Sequence, residues 1–230
     1  MEQRLDIASI LKGWEIASSI QRRRIAISQE DGMALVTAIG RKFRPGFVID
    51  RENRFVYENL VRWMFADPSA KAQAVDGRAV PADLTRGFYI AGPTGTGKTL
   101  CMRVFSSFAK SLALCYDVCG KQQYMDFQFY RSDLICDEYA KEGDLQKFKQ
   151  MPILCIEDLG SENQETLYMG NRRNVIQGIL EARGDRMLLL TNATSNLPIY
   201  KLGDVYGDRV QSRAHAMFNY YILEGGDRRK

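Results

Sequence analysis

The run Gly92-Pro93-Thr94-Gly95-Thr96-Gly97-Lys98-Thr99 satisfies the pattern G-x-x-x-x-G-K-[ST] at every fixed position. Glycines let backbone N–H groups close around phosphate oxygens, and a helix that starts at the lysine aims its positive end at the same anion. In this arrangement Lys98 neutralises the β and γ phosphates and the Thr99 hydroxyl ligates Mg²⁺. The setting agrees with the pattern: Gly87-Phe88-Tyr89-Ile90-Ala91 precedes it as a buried strand, and a helical run over residues 100–110 follows. A match by chance in a chain of this length has odds on the order of one per cent.

The elements that must hold such a loop are legible in part. A chain of 230 residues, 45% of them hydrophobic, supports one core domain with at most a small appendage. No apolar run approaches the roughly 18 residues needed to span a bilayer, which points to a soluble, cytoplasmic protein without a membrane partner. Five cysteines without a paired C-x-x-C set, and a single histidine at His215, speak against zinc and for reduced, mostly buried thiols. Thirty-two basic against 28 acidic residues give a net charge of +4, too mild to argue for nucleic acid by itself.

Along the chain, residues 6–24 have Ile7, Ile10, Leu11, Trp14, Ala17 and Ile20 at the spacing of one buried helical stripe, ending in the solvated run Arg22-Arg23-Arg24. An apolar segment, 33–39, ends at Gly40. The basic, turn-forming stretch 41–46 is then a candidate boundary between a helical segment, 1–45, and a nucleotide domain, 46–230. After Phe47-Val48-Ile49, Asp50 is placed to cap a helix over 51–65. Residues 66–86 predict a surface loop or weak helix, 111–123 predict no defined element, and the alternation over 124–130 predicts a strand. Ser132 is expected to cap a helix reaching 141. Two short apolar runs, 151–156 and 187–190, predict buried parallel strands with a helix over 171–183 between them. A last strand is expected over 218–223, followed by a charged tail over 227–230. Strands alternating with helices imply a central parallel sheet flanked by helices, with ligands at the carboxyl ends of the strands.

Phosphoryl transfer needs positioning, a metal, a base for the attacking water, and positive charge for the transferred group. Glu157-Asp158, leaving the first apolar strand, is placed to hold the Mg²⁺ shell and polarise water. Asn192, after the neighbouring strand, is placed to orient that water through its amide. Arg209 and Arg213, four apart on a helical segment, share a face. For each group a plainer account exists: an acidic turn, a cap, a solvated pair of cations.

Taken together with Tyr206-Gly207-Asp208-Arg209-Val210-Gln211-Ser212-Arg213, these residues resemble an AAA+ ATPase of the initiator and helicase-loader group, most like the bacterial DnaC/DnaI replicative helicase loaders. The stretch Phe47-Val48-Ile49-Asp50-Arg51-Glu52-Asn53-Arg54-Phe55 is similar to the segment that borders the adenine in that group and in the DnaA initiators. Gly170-Asn171-Arg172-Arg173-Asn174 and Ile179-Leu180-Glu181-Ala182-Arg183 also look like the loaders. The likeness spans roughly residues 47–223.

The resemblance implies an α/β P-loop NTPase, an AAA+ core without a C-terminal helical lid, preceded by a small helical N-terminal segment. It implies ATP and Mg²⁺ as cofactors. Gly92 through Thr99, with Leu100, Val48, Ile49 and Asn53, would line the nucleotide. Thr99, Glu157 and Asp158 would hold the metal, and Asn192 would sense the γ-phosphate. Arg213, with Arg209 beside it, would reach in trans into a neighbour's site, so self-association runs through nucleotide interfaces. The implied partners are single-stranded DNA and a replicative ring helicase, which residues 6–24 are a candidate to dock. One departure concerns the chemistry: the family has Asp first in the acidic pair, whereas here Glu157 precedes Asp158, so hydrolysis is expected to be slow. An IstB-like transposition helper shares the core and is the alternative. A small-molecule kinase needs an Arg-rich lid insert, and none follows the loop. A binding module that holds ATP only as a structural ligand stays compatible with the exchanged acids.

Overall fold

The structure, a computed structural model, describes residues 6–17, 19–186 and 188–228, with the side chains of 15–17 excepted. In chain order the elements are α1 (Ile7–Ala17), β1 (Ile20–Gln21), α2 (Gln29–Phe43), α3 (Arg54–Met64), β2 (Lys71–Gln73), β3 (Ala79–Pro81), β4 (Gly87–Ala91) and α4 (Lys98–Ser111). Then come β5 (Cys115–Val118), β6 (Lys121–Tyr124), β7 (Gln128–Arg131), α5 (Ser132–Glu142), α6 (Gln146–Gln150), β8 (Ile153–Leu159), β9 (Thr166–Tyr168) and β10 (Asn171–Arg173). The chain ends with α7 (Val175–Gly184), β11 (Leu190–Ser195), a 3₁₀ turn (Ile199–Lys201), α8 (Leu202–Tyr206), α9 (Asp208–Met217) and β12 (Phe218–Ile222).

Five strands form a central parallel sheet in the order β12-β4-β11-β8-β7. Both faces are covered, as the apolar strands require, because successive side chains point to opposite sides. Phe88, Ile90, Cys155 and Tyr221 join one cluster with Val56, Leu60, Met102 and Phe105 of α3 and α4. Tyr89, Leu154, Ile156 and Tyr220 join the other with Ile176, Ile179, Leu202 and Val210 of α7, α8 and α9.

Several sequence expectations change. The first helix stops at Ala17, with residue 18 outside the described set, and Ile20 is buried in a short strand paired with β5. Its apolar stripe is not buried: Ile7, Ile10, Leu11 and Trp14 are 55–67% exposed. Arg22 is not a solvated cation either. It donates to the carbonyls of Trp63, Met64 and Leu84 and lies 4.4 Å over the Trp63 ring, and burial lowers its pKa to about 10. Helix α2 continues through Gly40, and its Val36 and Ile39 share a core with Phe88 and Phe105, so the 41–46 junction does not separate two cores.

Asp50 caps a turn rather than the helix: its Oδ1 accepts from Glu52 N, and α3 starts four residues later. Residues 71–81 form a hairpin, 115–124 another, and the strand expected over 124–130 is confined to Gln128–Arg131. Ser132 is the first residue of α5, and its hydroxyl donates to Asp158 O instead of capping. Residues 171–173 pair as a strand with β9, and Asn174 caps α7 by accepting from Gln177 N. The strand expected from residue 187, itself outside the described residues, runs from Leu190 to Ser195. Cross-strand pairing decided these cases; local propensity cannot supply it.

One buried cation holds the sheet's lower end. Arg183, 1% exposed, donates to Thr191 Oγ1 and to the carbonyls of Phe148, Met151 and Leu190 at 2.7–2.9 Å. Burial lowers its pKa to about 9. Arg183→Ala orphans those carbonyls and is expected to lower unfolding free energy by on the order of 3 kcal/mol, measured by chemical denaturation; an unchanged midpoint would contradict this account.

Candidate nucleotide site

The phosphate loop leaves β4 and enters α4. Gly92, Gly95 and Gly97 have φ of 156°, 89° and 96°, in the region that disfavours side chains. A Cβ at Gly92 would lie 2.2 Å from Leu223 O, so the residue also admits a close backbone approach. Lys98 heads α4 and is 6% exposed. Its Nζ donates to Gly92 O at 2.7 Å, Pro93 O at 2.9 Å and Asn196 Oδ1 at 2.8 Å, all acceptors that phosphate oxygens can replace.

Asn196, missed by sequence reasoning, stands one residue beyond β11. Ser195 fixes it there: Ser195 O accepts from Gly92 N, and Ser195 Oγ donates to Leu159 O while accepting from Leu197 N. Asn192 lies inside β11, 1% exposed, and its Oδ1 accepts from Phe88 N at 3.1 Å. The strand extends further than its apolar run suggests, so Asn192 serves the sheet and Asn196 meets Lys98. The second Asn-containing step, Ser195-Asn196, was the available signal.

Glu157 and Asp158 occupy the end of β8. Asp158 has φ 54°, at a register shift between β8 and β11, and lines the cavity; its N–H donates to Thr194 Oγ1. Glu157 is 5% exposed with Oε1 buried and without a hydrogen-bond partner among the described residues. Burial raises its pKa, Arg103 and Arg131 oppose that shift, and Asp158 adds to it. A buried carboxylate oxygen lacking a donor suits a hard cation, and Asp158, not Glu157, is the member of the pair that lines the cavity with Thr99.

The cavity between these groups measures about 580 Å³. Thr94 to Leu100, Asp158 and Asn196 bound it on the phosphate side; Phe43, Phe47, Val48, Asn53 and Tyr57 bound the other. Asn53 builds that wall, accepting from Asp50 N and donating to Val48 O. Ile49 does not line this cavity; it faces a neighbouring groove with Met33, Thr37 and Ala38. Arg131 also lines the cavity, pairs with Asp133 and stands in register with Glu157.

Behind the acids, Glu162 accepts from Gly160 N at 3.0 Å and from the Tyr206 hydroxyl. This ties the loop after β8 to α8, the helix that precedes the one carrying both arginines. Arg213 is paired with Asp185, its Nε donating to Asp185 Oδ1 at 3.0 Å, and packs on Gly184, whereas Arg209 is exposed one turn earlier. The five cysteines are unpaired thiols, with Cys101, Cys136 and Cys155 buried and Cys119 exposed. No helix among the described residues is long and apolar enough to cross a membrane.

Loop, acidic strand end and five-stranded parallel sheet give the chain an α/β fold with a phosphate-loop sequence at the carboxyl ends of its strands. No known family model matches the sequence, and no curated protein does. Among solved structures, the chain shares its fold with the DnaC helicase loader at TM-score 0.53 and 16% identity, over 79% of this chain and 95% of that one. It also matches DnaI at 0.51 and 16%, over 87% and 96%. Domain III of the Thermotoga maritima replication initiation protein DnaA matches at 0.51 and 18%, over 80% and 67%. The resemblance seen in the sequence motifs therefore holds at the level of the fold.

The two asparagines separate by experiment. Asn192→Ala orphans Phe88 N inside the sheet and should cost roughly 1–3 kcal/mol of stability. Asn196→Ala should leave the melting temperature within a degree or two and lower nucleotide turnover instead; equal melting losses for both variants would remove the distinction.

Proposed function

We propose that the chain is an ATP-dependent DNA replication protein, a helicase loader that binds ATP and single-stranded DNA and delivers a replicative ring helicase. The observation that carries this reading is the single cavity with a glycine cradle and Lys98 at one end and the Phe47–Asn53–Tyr57 wall at the other. It has the size and polarity division of a nucleoside triphosphate. Lys98 exchanges its loop carbonyls for phosphate oxygens. Thr99 and Glu157 would hold the metal, and Asp158, at the cavity surface, would take the position of the base that orients the attacking water. Mg²⁺, when bound, neutralises charge across the β and γ phosphates. Asn196 couples Lys98 to the end of β11 and takes the sensing role expected of Asn192.

Arg103, exposed on α4, and Arg131 line the cavity from the same chain, and in this reading an arginine from a second copy completes the site. Arg213 is the family-implied residue, but Asp185 holds it within its own chain; Arg209, exposed on the same helix, reaches outward without breaking a pair. Basic side chains suited to a single strand are Lys121 and Arg173, while Arg172 is paired with Glu165. The exposed stripe Ile7, Ile10 and Leu11 on α1 suits docking of a helicase.

Three outcomes follow. Lys98→Ala abolishes binding of a fluorescent ATP analogue without loss of the folded state. Arg209→Ala or Arg213→Ala lowers DNA-saturated ATP turnover by about 10³-fold or more, as trans arginines do in other NTPases; full activity in both variants removes the trans role. Co-purification with ring helicases in the presence of ATP, and with no transposase, supports the loader; the reverse selectivity supports the transposition helper.

A further inference from the structure

The chain after β12 does not leave the site. Leu223 N–H donates to Ala91 O at 2.8 Å, and Leu223 O lies against the first glycine of the phosphate loop. The backbone then turns at Gly225, where φ is 105° and a Cβ would lie 2.1 Å from Glu52 Oε2. The angle favours glycine, and a Cβ there would displace the Glu52 carboxylate from its place. Residues 227 and 228 cross back over the loop. Arg228 N–H donates to Gly95 O at 3.0 Å, and a Cβ on Gly95 would lie 3.0 Å from Asp227 Cα.

From that anchor the Arg228 side chain reaches the opposite wall. Nη1 donates to Asp50 Oδ2 at 2.7 Å, and Nη2 donates to Asp50 Oδ1 at 3.0 Å and Glu52 Oε2 at 2.9 Å. Asp50 belongs to the turn whose N–H is held by Asn53, so the fork grips the same turn that shapes the far end of the cavity. The pair is mutual: the Arg228 guanidinium lowers the Asp50 pKa, and Asp50 raises that of Arg228. Nε of Arg228 is buried with no hydrogen-bond partner among the described residues, and the residue lines the cavity.

We propose that Arg228 is a positioning residue of the nucleotide site, supplied in cis by a strap over residues 223–228. Its backbone holds the phosphate loop, its Nη atoms hold the Asp50–Asn53 wall, and its spare Nε–H awaits a nucleotide oxygen. A single residue thus fixes the separation of the two walls that a nucleotide must span. A planar fork meets both Asp50 oxygens through separate nitrogens and still reaches Glu52, a geometry that a lysine ammonium does not reproduce. The inference rests on the ATP-site reading above and adds to it a residue outside the motifs.

The test uses the full chain and titration with fluorescent ATP and ADP analogues. Arg228→Ala is expected to weaken both by about tenfold, the loss of one preorganising charge-assisted contact, since the strap holds the loop shared by both nucleotides at Gly92 and Gly95. Arg228→Lys should recover part of that loss, and Gly225→Ala, which displaces the strap without removing its charge, should reproduce the weakening. Unchanged affinity in Arg228→Ala with a lowered melting temperature would mean a purely structural contact; tighter binding would mean the strap obstructs the site. Either overturns the inference while leaving the ATP site intact. Failure of the unaltered chain to bind either analogue sinks both.

Discussion

A buried ammonium sets the terms for the rest of the molecule. Lys98 is enclosed at the first turn of α4, and burying such a charge is tolerable only where acceptors surround it. They come from two carbonyls of its own loop and one amide just past the end of β11. The loop carbonyls turn inward because three glycines adopt angles that other residues resist. The amide is in reach because β11 lies beside β4 in the sheet, with Ser195 bonded to the loop's first N–H. The strand order thus has a chemical consequence: it brings the amide that meets Lys98 and, through β8, the acidic pair to one edge.

The acidic pair illustrates how backbone conformation divides two similar side chains. Glu157 continues the strand and is sealed beneath the surface, where desolvation disfavours its charge. Asp158 sits at the register shift, in a left-handed conformation, and emerges into the cavity. With Glu first and Asp second, the longer side chain takes the buried position. The shorter one remains at the surface.

The two exceptional arginines of the core, Arg22 and Arg183, are satisfied almost wholly by carbonyls and not by carboxylates. Each gathers carbonyls from several elements at one buried point. Arginine suits this because its donors fan out in a plane and its charge resists removal. A sequence shows such residues only as cations, and cations are ordinarily placed at the surface.

The phosphate loop, its strand and its helix were readable from residues 87–111 alone, because glycine angles and helix-terminal N–H groups are local properties. The apolar strands and their alternation with helices were readable as well, and with them the α/β class. What needed the tertiary structure were contacts set by pairing and by distant chain: that Asn196 and not Asn192 meets Lys98, that Arg131 joins the nucleotide cavity, and that Ile49 turns away from it. The hairpins over 71–81 and 115–124 escaped because their strands are three or four residues long and pair only with each other or with β1. Arg228 escaped most completely. A charged tail carries no periodicity, and its position over the loop follows from where the last parallel strand ends, which is a fact of the sheet and of no local sequence.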